Sequence, residues 1–171
     1  PDYYLAISKN VQKRIKKYYG QESEVIYPPI NTKKFAIRNL QPGNYYLVVS
    51  RLVAYKKIDI AIMAFNKLGL PLKVVGTGRE MGRLKKIANN NIEFLGGLTD
   101  SKLLFYYQNC DAVIFPQAED FGLVPLEAQS CGRPVIAFRG GGALETVIEN
   151  QTGLFFQPQT ARALIKTVEK F

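Results

Sequence analysis

The chain has 171 residues, a formal net charge of +9, 47% hydrophobic and 22% charged residues, and no histidine. That length suits one domain of roughly 100–200 residues, and the composition supports a buried core and excludes a disordered tail. Without histidine there is no Ser-His-Asp triad, no Cys-His pair, no HExxH zinc site and no imidazole base, so chemistry within the chain falls to carboxylates, cations and backbone amides.

The chain opens at Pro1, directly before a strand-like run, as a piece cut from a longer protein would. Residues 4–8 are predicted as a strand, 10–19 as a basic helix and 25–27 as a second short strand. Pro28 and Pro29 then stiffen the chain and mark a boundary. Residues 1–30 are therefore expected to be the tail of a preceding domain plus a linker, and 31–171 the domain proper. Residues 1–57 carry eleven Lys and Arg against three acids, whereas the remainder carries twelve against eleven. Such a basic block fits an anionic surface such as nucleic acid or membrane, and equally a solvated face of one helix.

Six short apolar runs follow: 45–50 (YYLVVS), 72–76 (LKVVG), 92–96 (IEFLG), 112–116 (AVIFP), 134–138 (PVIAF) and 153–156 (GLFF). Runs rich in β-branched and aromatic residues belong to strands buried on both faces, as in a parallel sheet. Helices fit the gaps, with Ile58, Ile62, Phe65 and Leu68 on one face and Leu103, Leu104 and Tyr107 on another. The alternation predicts an α/β fold, a doubly wound, Rossmann-like parallel sheet. Cys110 and Cys131 form neither a CxxC pair nor a disulfide framework, and they point to a reducing, cytoplasmic setting. No apolar run approaches the roughly 18–20 residues of a membrane span, and no signal peptide is visible.

In such a sheet ligands bind beyond the carboxyl ends of the strands. After the first run stand Arg51 and Lys56, with Lys57 next; two cations there suit a diphosphate, and either one alone reads equally as surface charge. After the second, Gly76-Thr77-Gly78 precedes Gly82 at one residue more than the dinucleotide fingerprint allows. Gly76 and Gly78 either admit a ligand close to the backbone or form a plain tight turn. Asp100 stands at about the separation of a ribose-binding acid, but past the strand. After the fourth run comes EDFGLVPLE, with Glu119 in a loop and a helix expected from near Gly122 to Gly132. The amides and dipole at that helix start form an anion site. Glu127, roughly 7.5 Å along the axis at about 1.5 Å per residue, suits ribose hydroxyls or a solvated face. Gly140, Gly141 and Gly142, ahead of Glu145, either offer consecutive amides to a ligand or form a flexible loop.

Together these residues resemble the nucleotide-binding half of retaining glycosyltransferases of the GT-B fold, family 4. Glu119 and Glu127 match that family's E-x7-E motif within EDFGLVPLEA, and SRLVAYKKID is similar to its diphosphate segment, with Lys57 where glycine is common. GGALETVIENQTGLFFQPQT is similar to bacterial mannosyltransferases of O-antigen and exopolysaccharide assembly that use GDP-mannose. YLAISKNVQKRI through VIYPPINTKKF resembles the end of the acceptor domain and its linker. The resemblance covers essentially the whole chain. It implies that most of the acceptor domain, with the family's histidine, and the usual C-terminal crossing helix lie outside it.

The resemblance also implies roles. Arg51 and Lys56 would hold the donor diphosphate, and Glu119 the transferred sugar. Amides at Phe121, Gly122, Leu123 and Val124 would bind sugar and distal phosphate. Glu127 would hold the ribose, and Leu98 with Asp100 would border the base. The implied activity is retaining glycosyl transfer from a nucleotide diphosphate sugar to a glycan or lipid-linked acceptor, with no metal or other cofactor, in the cytoplasm or at the inner face of a membrane touched peripherally. Alternatives are a nucleotide-sugar epimerase or phosphorylase-like enzyme, or a non-catalytic nucleotide-binding module; nucleic acid ranks last among partners.

Overall fold

The computed structural model describes residues 2–36 and 43–171. Near the N-terminus β1 (Leu5–Ala6) and β2 (Glu24–Val25) pair in parallel, with α1 (Lys9–Tyr19) between them. The helix starts one residue earlier than its basic run implies because Ser8 caps it, its hydroxyl accepting the Val11 N–H at 3.0 Å. No residue of α1 is buried, so its lysines lie on a solvated helix.

Strand and helix then alternate: β3 (Tyr46–Val49), a 3-10 turn (Ala54–Lys56), α2 (Ile58–Leu68), β4 (Leu72–Val75), α3 (Met81–Ile87), β5 (Ile92–Gly96) and α4 (Asp100–Gln108). After these come β6 (Val113–Phe115), α5 (Leu123–Ser130), β7 (Val135–Phe138), α6 (Ala143–Thr146), β8 (Gly153–Phe156) and α7 (Ala161–Lys170). All six apolar runs form strands, joined in one parallel sheet of order β5-β4-β3-β6-β7-β8. The sequence thus moves outward one way from β3 and then the other way from β6, as in a doubly wound α/β fold.

Burial of both sheet faces explains the unbroken apolar runs: Leu47, Val74, Val113 and Ile136 are all sealed from water. One core layer gathers Phe65, Leu72, Ile114 and Leu164, and the other Leu47, Tyr107, Phe115 and Val135. The α2 helix is buried beyond the single face its spacing predicts, since Ile60, Ala61 and Ala64 join Ile58, Ile62 and Phe65. Packing of α7 against it accounts for the extra coverage. In α4 only Tyr107 is buried, with Leu103 and Leu104 packed partly buried against that layer. Among the described residues no helix is long and apolar enough to cross a membrane. The order reverses between β3 and β6, where Leu47 registers with Val113, and the loops leaving those two strands define the crevice.

Candidate functional site

Beyond β3, the backbone is pinned to the neighbouring loop: the Leu52 N–H donates to Thr77 O at 2.8 Å, and Leu52 O accepts the Glu80 N–H at 3.0 Å. Gly76 and Gly78 make this approach possible, because a Cβ on either would overlap the Ser50 or Leu52 carbonyl oxygen. The 3-10 turn ends on Lys57, a non-glycine residue at φ 54° and ψ 32°. That left-handed step explains why glycine suits the position. Lys56 lies buried at 8% exposure, while Arg51 stays exposed and donates to the Tyr55 hydroxyl at 2.9 Å.

Beyond β6, Gln117 is buried and Glu119 follows at the crevice edge. Its loop is backed by the glycine run: Gly142 N–H donates to Glu119 O at 2.8 Å, and a Cβ on Gly141 or Gly142 would collide with Glu119 or Phe121 backbone. The Gly140 N–H donates to Phe138 O at 2.8 Å. Of the two readings of this run, three consecutive amides offered to a ligand does not hold, because the backbone itself uses two of them.

Across the crevice the Lys56 ammonium forms an ion pair with Glu119 Oε1, and Gln117 Nε2 approaches the same oxygen at 3.3 Å. The two charged side chains are 10% and 22% exposed, so each offsets the other's loss of water. Next to Glu119, α5 starts from Gly122 at a φ of 89°, where an added Cβ would stand 3.0 Å from the Phe115 ring. The first amides of that helix have no intrahelical partner, and Pro125 within the first turn has no N–H to satisfy. Leu123 and Val124 line, with Glu119, Phe121, Ile7 and Pro28, a cavity of about 280 Å³. That volume falls just below the roughly 300–1,000 Å³ of ligand pockets.

Glu127, half-buried within α5, accepts a hydrogen bond on Oε2 from the Tyr107 hydroxyl at 2.8 Å. Burial first, and the Glu127 carboxylate second, push the Tyr107 phenol well above its ordinary value, so it stays a neutral donor. The N-terminal unit docks on the Glu119 loop: Ser8 Oγ donates to Asp120 O at 2.5 Å, Arg14 pairs with Asp120, and Tyr27 stacks on Phe121 with ring centres 5.6 Å apart. Glu145 caps α1, accepting the Lys9 and Asn10 N–H groups at 2.8 and 2.9 Å and the Tyr27 hydroxyl at 3.0 Å. Leu98 packs partly buried against the Tyr107 layer. Asp100 opens α4 and pairs with Lys34 at 2.5 Å, and among the described residues no hydrogen bond or ion pair joins it to the Lys56–Glu119 pair.

Residues 29–171 match the family model of glycosyl transferases group 1. The chain belongs to that family. It is 30% identical over 158 residues to an uncharacterized glycosyltransferase of Methanocaldococcus jannaschii, covering 90% of this chain and 44% of that protein. It is 29% identical over 184 residues to the GDP-mannose-dependent alpha-(1-6)-phosphatidylinositol monomannoside mannosyltransferase of Mycobacterium tuberculosis, covering 90% and 48%. The crystal structure of Anabaena HepE in complex with UDP-glucose shares the fold, with a TM-score of 0.87 at 23% identity over 98% of this chain and 53% of that one. The chain spans about half the length of the curated relatives it matches.

Two residues of this group 1 chain escape motif reading. Tyr107 reads only as part of a helix's apolar face, and Gln117 only as the residue after a strand. A polar side chain directly beyond a fully buried strand tip is the one local signal for Gln117. Nothing local marks Tyr107, whose partner lies 20 residues away on another helix.

Proposed function

We propose that this chain supplies the donor-binding half of a retaining glycosyltransferase, carrying mannose from GDP-mannose to a glycan or lipid-linked acceptor. The observation that carries the reading is the meeting of Lys56 and Glu119, 63 positions apart, at the switch point beside the start of α5. Cation, carboxylate and helix amides there suit the phosphate and hydroxyls of a nucleotide sugar. Arg51 and Lys56 hold the diphosphate, and the amides at 121–124 take the distal phosphate and sugar. Glu119 accepts sugar hydroxyls and Glu127 ribose hydroxyls, while Leu98 and Asp100 border the base. Gly76 and Gly78 hold the diphosphate loop in place. Mannose and guanine are favoured by the named function of the mycobacterial relative and by the resemblance of residues 141–160 to mannosyltransferases.

The two glutamates grip different parts of the donor and do not act as the carboxylate pair of a retaining hydrolase. The bond from the anomeric carbon to the diphosphate oxygen breaks as the acceptor oxygen bonds on the same face. The acceptor proton passes to the departing diphosphate, whose charge Arg51 and Lys56 offset in place of a metal. On this reading residues 1–30 are the end of an acceptor-binding domain with its linker, and 31–171 the donor domain. The protein works at the cytoplasmic face of a membrane, met by Lys13, Lys16 and Lys17. Binding to anionic vesicles that is unchanged when those lysines are replaced by alanine would remove the membrane contact from the account.

A thermal-shift screen against GDP-, UDP- and ADP-sugars tests the reading. A ligand at 100 times its Kd adds about 2.7 kcal/mol, or about 5–11 °C for a chain of this size. GDP-mannose is expected to give the largest shift, and no shift with any nucleotide sugar would overturn the proposal.

A further inference from the structure

We propose that Tyr107 is the positioning residue for Glu127, holding one carboxylate oxygen so that the other meets the ribose hydroxyls of a bound nucleoside diphosphate. The proposal deepens the donor-site reading and rests on Glu127 being the ribose-binding carboxylate. Tyr107 has no exposed surface. Its ring stands edge-on to Phe35 at 5.9 Å and 85°, and its carbonyl accepts the Cys110 thiol at 3.3 Å. Both ring and backbone are thus fixed, and the phenol points to one place. From there it reaches Glu127 Oε2 at 2.8 Å, joining α4 to α5.

A glutamate side chain has three torsions to order, and ordering it at the moment of binding weakens affinity. A donor fixed in the core orders it beforehand. Burial keeps the phenol protonated, so it donates to the carboxylate and does not compete with it. Oε1 of Glu127 accepts no hydrogen bond among the described residues and is left for a ligand hydroxyl. Glu119 is built the same way: Lys56 and Gln117 both reach Oε1, and Oε2 is left unbonded among the described residues. Each glutamate of the pair is therefore held through a single oxygen by a buried partner outside the motif.

The test is calorimetric binding of GDP and UDP, each beside its 2′,3′-dideoxy counterpart, to the unmodified protein, Tyr107→Phe, Glu127→Ala and the double variant. A hydrogen bond to a charged group implies a preference for the ribose form of about tenfold or more. Glu127→Ala is expected to abolish that preference. Tyr107→Phe is expected to cut it about three- to tenfold, with the dideoxy affinity unchanged and the unfolding temperature lowered by about 1–6 °C, as the loss of one hydrogen bond implies. In the Glu127→Ala background the tyrosine change should have no further effect. A Tyr107→Phe protein that keeps the full preference, weakens both forms equally, or fails to fold would overturn the positioning role alone. A Glu127→Ala protein that keeps the preference, or an unmodified protein that binds neither nucleotide, would overturn the Glu127 reading and the proposal with it.

Discussion

Replacing Lys56 by methionine keeps most of the side chain's apolar length but strands Glu119 beside Gln117 with no cation. At an effective dielectric of 20, unit charges about 4 Å apart attract by about 4 kcal/mol. Exposed pairs realise about 0–1 kcal/mol of that, whereas truncating one member of a buried pair costs about 3–5 kcal/mol. With side chains 10% and 22% exposed the pair lies between these limits, so Lys56→Met should cost about 2 kcal/mol. For a domain of this size that is a fall of about 4–8 °C in Tm. Glu119→Gln removes the opposite charge, and the double variant Lys56→Met/Glu119→Gln should recover about 2 kcal/mol relative to the sum of the singles. Urea denaturation of all four proteins measures the coupling, and donor binding is expected to fall in each variant. Costs additive to within about 0.5 kcal/mol would refute the ion pair as the link between the two loops.

Gly142→Ala should destabilise the protein by about 2 kcal/mol or more and weaken donor binding, because its Cβ would collide with Phe121 backbone and displace the Glu119 loop; calorimetric unfolding beside ligand titration checks both. Burial pushes the Cys110 thiol from near 9 up to about 12 and the Cys131 thiol up to about 11. Both raised values favour the protonated folded state, so this stability is full below the unfolded thiol value near 8.5 and is lost as pH rises through 11–12. Thiol reagents at pH 8 should accordingly label the native protein only as fast as it unfolds, and labelling at the rate of free cysteine would contradict the burial.

The sheet was legible because parallel strands covered on both faces must be continuously apolar, and 92–96 and 153–156 match β5 and β8 residue for residue. The remaining strands are one or two residues shorter than their runs, although several trimmed ends still bond across the sheet, the Val113 N–H donating to Pro134 O at 2.9 Å and the Gly76 N–H to Gly96 O at 2.7 Å. Arg51, Lys56 and Glu119 were placed by a rule of topology, that ligands gather beyond strand ends. What stayed illegible are contacts without local period. The Tyr107–Glu127 bond depends on how α4 and α5 pack, and Glu145 reads as a companion of the glycine run although it caps a helix 135 residues earlier. Gly76, Gly78, Gly141 and Gly142 show the same limit: composition marks a loop, but only the fold reveals that each glycine faces another loop's backbone.

Calorimetric titration of GDP-mannose into the unmodified protein and into Arg51→Ala tests the central claim, that the switch-point crevice receives a nucleotide diphosphate sugar. Arg51 is exposed and, among the described residues, bonded only to Tyr55, so its removal should leave stability within about 0.5 kcal/mol. Loss of a charge-assisted contact to phosphate should then weaken binding by about 1.5–3 kcal/mol, or about 10- to 100-fold. Binding that is absent from the unmodified protein, or unchanged by Arg51→Ala, would contradict the account.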